Sequence, residues 1–248
     1  MQTNPFTLSE KHILVTGASS GIGRAIAIAC SRQGAGLFLT ARNTERLNET
    51  LDLLVPGNHS VFSADLGLDQ DLDALAKALP VLDGLVMNAG FVKTLPVQFI
   101  KRNNLDQAFN VNLHGSVLLI QRLLKQKKIR DGASICFISS VASLHVTPGN
   151  AVYSASKGAV NAYARALALE LAPKQIRVNA VLPGFVETEL LQKSPITEEQ
   201  INTHKKNYPI GRYGKPEDVA YLCNFLLSDA ATWMTGSLIT LDGGFSIK

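Results

Sequence analysis

Tyr153 and Lys157 stand four residues apart in the stretch "VYSASKG" at 152–158, with only small residues between them. On a helix, positions i and i+4 share a face about one turn apart, so the phenol and the ammonium project side by side. The chemistry open to such a pair is proton transfer. A tyrosine hydroxyl with its ordinary pKa of about 10 is a poor base at neutral pH, and a nearby ammonium favours tyrosinate and lowers that value. The pair then suits a reaction in which a carbonyl oxygen gains a proton as it becomes an alcohol, or loses one in reverse. Small Ser154, Ala155 and Ser156 keep the face open. A solvated tyrosine–lysine contact is the plain alternative, and spacing alone does not choose between the two.

A second set lies near the start. Thr16-Gly17-Ala18-Ser19-Ser20-Gly21-Ile22-Gly23 opens a helix, where bare N–H groups and the helix dipole attract a phosphate and glycines let it approach. The spacing is GxxxGxG rather than GxGxxG, so the argument for a nucleotide rests on its position between a strand and a helix. At the end of the second strand an NAD-type site would place Asp or Glu for the ribose 2′-hydroxyl. The chain reads Thr40-Ala41-Arg42-Asn43 instead. The planar donor fork of Arg42 suits a 2′-phosphate, so NADP(H) is the expected cofactor, with NAD(H) the second choice.

These residues need a frame. "HILVTG" reads as a strand ending at Gly17, "GIGRAIAIACSRQG" as a helix ending at Gly34, and "GLFLTAR" as a second strand. "NTERLNETLDLL" follows as an exposed amphipathic helix and "SVFSADL" as a third strand; after a helix near Gln70–Leu79, "LDGLVMNAG" is a fourth. A long helical stretch from about Asn104 to Lys127 precedes the strand "ASICFISS", and the helix of Tyr153 and Lys157 leads to "IRVNAVLPG". A helix near Pro216–Leu227 and the strand "GSLITLDGG" close the chain. Apolar strands alternating with helices predict an α/β fold, a Rossmann-like doubly wound parallel sheet of about seven strands with helices on both faces. Ligands bind beyond the carboxyl ends of such strands, where Gly17, Asn88, Ser140 and Pro183 all fall.

The chain of 248 residues, 46% apolar and 18% charged, has no linker-like or repeated stretch and reads as a single domain. The net charge of +4 is spread out. Its densest cluster, "KQKKIR" at Lys125–Arg130, reads as a solvated helix end, so nucleic-acid binding is not expected. No apolar run of about 18 residues appears and "MQTNPFTLSEK" lacks the order of a signal peptide, so no membrane association is expected. Cys30, Cys136 and Cys223 sit in apolar segments without CxxC spacing, which argues against a disulfide frame or a metal site and for a reducing, cytoplasmic setting.

Taken in order, "TGASSGIG" at 16–23, "NAG" at 88–90, Ser140, "YSASK" at 153–157 and "PG" at 183–184 resemble the short-chain dehydrogenase/reductase family over nearly the whole chain. The resemblance implies a cofactor whose pyrophosphate lies on Gly17, Ser19, Ser20, Gly21, Ile22 and Gly23, with Asp65 and Leu66 at the adenine. It implies Asn88, Ala89 and Gly90 beneath the cofactor, and Pro183, Gly184, Val186 and Thr188 beside the nicotinamide together with Tyr153 and Lys157. It further implies a catalytic tetrad of Asn112, Ser140, Tyr153 and Lys157. In that tetrad Ser140 hydrogen-bonds the developing oxyanion, and Asn112 helps hold a water joining Lys157 to solvent. Two departures stand out: Met87 replaces the first of the family's paired asparagines, and Ser20 stands where many NADPH-dependent relatives carry Arg or Lys.

The expected function is therefore an NADP(H)-preferring oxidoreductase that reduces a carbonyl to a secondary alcohol, or the reverse. A 3-oxoacyl-carrier-protein reductase is the narrower alternative. The closing "YPIGRYGKPEDVA…LITLDGGF" is similar to that of such enzymes, and Lys127, Lys128, Arg130 and Lys174 could meet an acidic acyl carrier protein. A non-catalytic nucleotide-binding scaffold would be expected to have lost Tyr153 or Lys157. The polar stretch near 187–210 reads as a substrate lid. The helix "AVNAYARALALELA" carries more nonpolar surface than one sheet face buries, which with the resemblance predicts a homotetramer.

Overall fold

The apolar runs form seven strands: β1 His12–Thr16, β2 Gly36–Ala41, β3 His59–Ser63, β4 Leu82–Met87, β5 Ile129–Ile138, β6 Arg177–Pro183 and β7 Leu238–Leu241. They make one sheet in the order β3-β2-β1-β4-β5-β6-β7, with every pairing parallel. The computed structural model describes residues 4–189 and 197–247. Strand order reverses between β1 and β4, and that switch opens a crevice beyond their carboxyl ends.

The helices are α1 Gly21–Arg32, α2 Thr44–Asp52, α3 Asp69–Ala78, α4 Arg102–Phe109, α5 Gly115–Lys125, α6 Ala151–Leu171, α7 Glu198–Lys205 and α8 Pro216–Leu227. Alternation along the strands divides the core in two. Leu14, Leu85, Met87, Phe137 and Leu182 pack with Leu75 of α3, Leu119 of α5 and Val160 of α6. Their neighbours Ile13, Val15, Val86, Cys136 and Val181 face the other way, onto Ile26 of α1, Leu47 of α2 and Val219 of α8. Both faces of the sheet are thereby covered, which is why residues 13–15, 85–87 and 135–138 are apolar at consecutive positions rather than at alternate ones.

The long helix expected over 104–127 begins at Arg102 and is divided. A π-helical turn at Asn110–His114 separates α4 from α5, with the Gly115 N–H bonded back to the Asn110 carbonyl. A Cβ on Gly115 would stand 2.6 Å from the Leu66 carbonyl oxygen, so the start of α5 touches the end of β3 at a distance only glycine permits. Strand β5 also begins earlier than expected, at Ile129 rather than Ala133.

The three thiols are buried and free, Cys136 and Cys223 sulfurs lie 3.8 Å apart, and the Cys30 thiol donates to Asn224 Oδ1 at 3.0 Å. Burial pushes the Cys30 thiol far above its ordinary pKa. No helix among the described residues is long and apolar enough to cross a membrane. Of the stretch expected as a lid, residues 190–196 lie outside the described residues, and α7 follows them.

The basic residues expected to meet an acyl carrier protein do not border this chain's crevice. Lys127, Lys128 and Arg130 precede or open β5 and Lys174 precedes β6, so they sit at the amino edge of a parallel sheet, opposite the strand ends that carry Ser140 and Pro183. Lys128 Nζ donates to the carbonyls of Lys77 (2.6 Å) and Leu79, and Arg130 pairs with Asp83 at 2.6 Å.

Candidate active site

The crevice is built on Thr16, the buried last residue of β1. Its hydroxyl accepts the N–H groups of Asn88 (2.9 Å) and Ala89 (3.1 Å), while the Asn88 amide donates to the carbonyls of Thr16 (3.1 Å) and Gly17 (3.2 Å). The glycine turn is thus tied to the end of β4. Gly17 has φ +63°, and a Cβ on Gly23 would stand 2.2 Å from the Gly17 carbonyl oxygen and 2.5 Å from Asn88 Nδ2. Those two glycines are required by backbone conformation and by close packing respectively.

At the start of α1, Ser20 makes no side-chain cap and the first turn holds no acid, which leaves the N–H groups around Ser20, Gly21, Ile22 and Gly23 available to an anion. Behind the turn, Thr50 of α2 donates to the Ala18 carbonyl at 2.9 Å, and Arg24 donates to the Ser19 carbonyl (2.8 Å), Thr50 Oγ1 (3.0 Å) and Glu49 (2.8 Å). In a trans peptide the N–H points opposite to the carbonyl. Drawing those two carbonyls toward α2 therefore turns the Ser19 and Ser20 N–H groups the other way. Arg24 and Thr50 escaped the sequence reading because a contact across 26 residues leaves no periodic trace.

Arg42 stands exposed just past β2. Its carbonyl accepts from Ser63 Oγ at 3.2 Å, and its guanidinium has no partner among the described residues. A free fork at that strand end fits a phosphate. Asp65 and Leu66 follow β3, but the Asp65 carboxylate is turned onto the Gly67 N–H (2.9 Å) and the Leu66 side chain belongs to the core. Past β6, Gly184 donates to the Leu241 carbonyl (3.0 Å), Val186 pairs with Gly214, and Thr188 lies against Gly21. The expected pyrophosphate and nicotinamide borders thereby meet.

Asn112, Ser140, Tyr153 and Lys157 converge at the far side of the crevice. Ser140 lies just past the end of its strand, and its hydroxyl is close enough to that of Tyr153 to pull the phenol's pKa down. Buried Lys157 lies with Nζ 5.9 Å from the centre of the Tyr153 ring and donates to the Ile138 carbonyl at 2.7 Å. Burial lowers the Lys157 pKa to about 8. The expected lowering of the Tyr153 pKa by Lys157 is not found in this chain: burial raises it, and the Ser140 hydroxyl is the group that pulls it down. One of the three lysine N–H donors goes to a backbone carbonyl.

Asn112 sits in the π-helical turn. Its side chain accepts the Phe91 N–H, and donates to the Phe91 carbonyl and to Ser156 Oγ (2.8 Å). Gly90 lies between the two polar groups, since a Cβ there would be 3.5 Å from Lys157 Nζ and 3.6 Å from Asn112 Oδ1. Ser143 Oγ donates to the Ser140 carbonyl (2.6 Å) and accepts from Asn161 Nδ2 (2.8 Å), fastening the turn after Ser140 to α6.

Two walls rise from this floor. A shallow cleft, open to solvent, runs past Tyr153 between Phe91, Leu95, Ala108 and Val152. On the other side Phe185 packs on Tyr213 (4.6 Å between ring centres), His204 of α7 meets the Tyr213 hydroxyl at 2.8 Å, and Phe245 lies over Tyr208.

The profile of a family described as enoyl-(acyl carrier protein) reductase matches residues 17–246. A 3-oxoacyl-[acyl-carrier-protein] reductase from Thermotoga maritima is 36% identical over 97% of this chain and 99% of its own. The chain belongs to the short-chain dehydrogenase/reductase family. Among solved structures, a putative short-chain alcohol dehydrogenase from Sinorhizobium meliloti superposes with a TM-score of 0.90 at 32% identity, covering 99% of this chain and 100% of that one. A putative 2-deoxy-D-gluconate 3-dehydrogenase from Agrobacterium tumefaciens with bound NADP does so with a TM-score of 0.90 at 30% identity, covering 99% and 100%. As a short-chain dehydrogenase/reductase the chain is an oxidoreductase acting on CH–OH and C=O groups.

Proposed function

We propose that this protein is an NADP(H)-preferring carbonyl reductase, or secondary-alcohol dehydrogenase in reverse, with Tyr153 as its acid and base. The observation that carries the reading is the contact between the Ser140 and Tyr153 hydroxyls at the edge of the cleft, with buried Lys157 one helical turn on. The glycine turn from Gly17 to Gly23 holds the pyrophosphate, Arg42 the 2′-phosphate, and Asn88, Ala89, Gly90, Pro183, Gly184, Val186 and Thr188 flank the rest. Asp65 and Leu66 border the adenine through their backbone. The bound dinucleotide supplies or accepts a hydride at the substrate carbon.

The chain's own groups manage the oxygen. Ser140 donates a hydrogen bond to the carbonyl, which favours the charge that grows there. Tyr153 gives that oxygen its proton. Lys157, with a pKa of about 8, can hold or release a proton near neutral pH and so restores the phenol, with Asn112 holding the local backbone that lets water reach it. NADP bound in the Agrobacterium relative supports the choice of phosphate-bearing cofactor.

We further assign a homotetramer, a cytoplasmic setting and a single domain covered on its substrate side by the described parts of 187–210. Leu169 at 80% and Trp233 at 99% exposure are apolar surfaces that subunit contacts would cover. A monomeric mass by light scattering would refute the tetramer. The alternative, a 3-oxoacyl-carrier-protein reductase, requires that the basic edge of one subunit lie beside the crevice of another, because within one chain it lies at the opposite end. NADPH oxidation with a panel of acetoacetyl thioester, diketone, cyclic ketone and sugar tests the reading; no turnover with any would sink it.

A further inference from the structure

We propose that the cleft beside Tyr153 is shaped for an oxo acid, a carbonyl compound with an apolar body and a terminal carboxylate, and that Lys93 is the residue that selects the carboxylate. The inference rests on the reductase reading of the same cleft. Phe91, Lys93 and Leu95 line it at alternate positions, as residues of an extended segment do when they share one side. Phe91 and Leu95 are apolar, as are Ala108 and Val152 opposite. The Asn104 side-chain oxygen already accepts the Lys101 N–H at 2.9 Å. Apolar walls gain more from covering an apolar body than from covering a polyhydroxylated one, whose hydroxyls are better left in water. An apolar chain is not penalised there.

The charge at this cleft is of one sign. No acidic side chain lines it, and the Lys93 ammonium has no hydrogen-bond or ion-pair partner among the described residues. Its backbone is nevertheless held on both sides. Phe91 is fastened by Asn112, and the Leu95 N–H donates to the Gly149 carbonyl at 2.8 Å, with Gly149 pressed against Thr94. Lys93 itself is exposed, so its ammonium stands at the mouth of the cleft, where an unpaired cation attracts an anion. Lysine acts as a point charge and does not require the two-pronged geometry of a guanidinium, so a carboxylate on a flexible chain suffices.

The test uses methyl ketones bearing a terminal carboxylate, lengthened one methylene at a time, and their methyl esters, with NADPH oxidation as the readout. The wild-type protein is expected to favour the acid over its ester by about tenfold in kcat/KM at the best length, in line with one charge-assisted hydrogen bond. Lys93→Gln should bring that ratio near one, Lys93→Glu should invert it, and Lys93→Arg should keep most of it. Because the readout is a ratio within one protein, partial misfolding does not imitate the result. If esters are turned over and no acid is preferred, or if Lys93→Gln leaves the ratio unchanged, the inference fails while the reductase reading stands. If neither acids nor esters nor the wider ketone panel are turned over, both fail.

Discussion

The Asn112 side chain closes on both polar backbone groups of Phe91, accepting its N–H at 2.6 Å and donating to its carbonyl at 2.9 Å. Its third bond, to Ser156 Oγ at 2.8 Å, reaches the helix that carries Tyr153 and Lys157. One amide thus joins the cleft wall, the π-helical turn and the catalytic helix. Asn112→Leu keeps the bulk and orphans two backbone groups, and each unsatisfied group costs about 1–3 kcal/mol. A loss of about 2–5 kcal/mol in urea unfolding is expected, and an unchanged midpoint would show that the amide is not holding the loop.

Lys157 makes stability depend on pH in a stated direction. Its folded pKa of about 8 lies below the ordinary 10.5, so the unfolded chain binds its proton more tightly between those values. The burden of burying the charge is complete below about pH 8 and lifts as pH rises toward 10.5. Relative to Lys157→Met, the wild-type protein should gain up to about 3 kcal/mol across that window. Parallel stability curves for the two proteins from pH 7 upward would contradict it.

The strands and the glycine turn were legible because each rests on a local signal: apolar runs between breakers, and Gly17 at the strand end with Gly23 packed behind it. The convergence of Ser140 and Tyr153 followed, since strand ends and helix faces set the address of each. The π-helical turn was not legible. A single inserted residue leaves the apolar spacing of 104–127 nearly intact, and the close approach of Gly115 to Leu66 beside the turn joins residues far apart in the chain. Spacing put Lys157 beside Tyr153 but gave no sign of how deeply the phenol is buried, and burial is what raises its pKa. The placing of Lys127, Lys128 and Arg130 was within reach of sequence reasoning. Residues that lead into a parallel strand lie at its amino end, away from the ligand crevice.

If the glycine turn holds the pyrophosphate as proposed, Thr50 and Arg24 position it. Thr50→Val deletes the hydroxyl that bonds the Ala18 carbonyl and accepts from Arg24. It should raise KM for NADPH by about fivefold with a smaller change in kcat, as one net hydrogen bond would. Thr50→Ser should restore most of the binding. Equal loss in both variants, or a fall confined to thermal stability, would remove the positioning role.

The proposed role of Arg42 on the 2′-phosphate predicts the choice of cofactor. A hydrogen bond to a charged group contributes about 1.5–3 kcal/mol, so the wild-type protein should favour NADPH over NADH by roughly 10- to 150-fold in kcat/KM. Arg42→Ala should erase most of that preference, and adding Ala41→Asp should reverse it, since a carboxylate accepts from ribose hydroxyls and repels the phosphate. Measured at fixed low salt, a preference for NADH in the unmodified protein would overturn the assignment.

Tyr153→Phe removes one oxygen, the one that the Ser140 hydroxyl meets at the cleft. General acid–base groups contribute roughly 10²–10⁴-fold to turnover, and the phenol is not needed to hold the dinucleotide at the glycine turn. The decisive measurement pairs the ketone-dependent oxidation of NADPH with NADPH binding followed by fluorescence titration, on both proteins. A fall in kcat of at least about a hundredfold with NADPH binding retained is the predicted result. Turnover near that of the wild-type protein would contradict the account, because Tyr153 would then not be the proton donor.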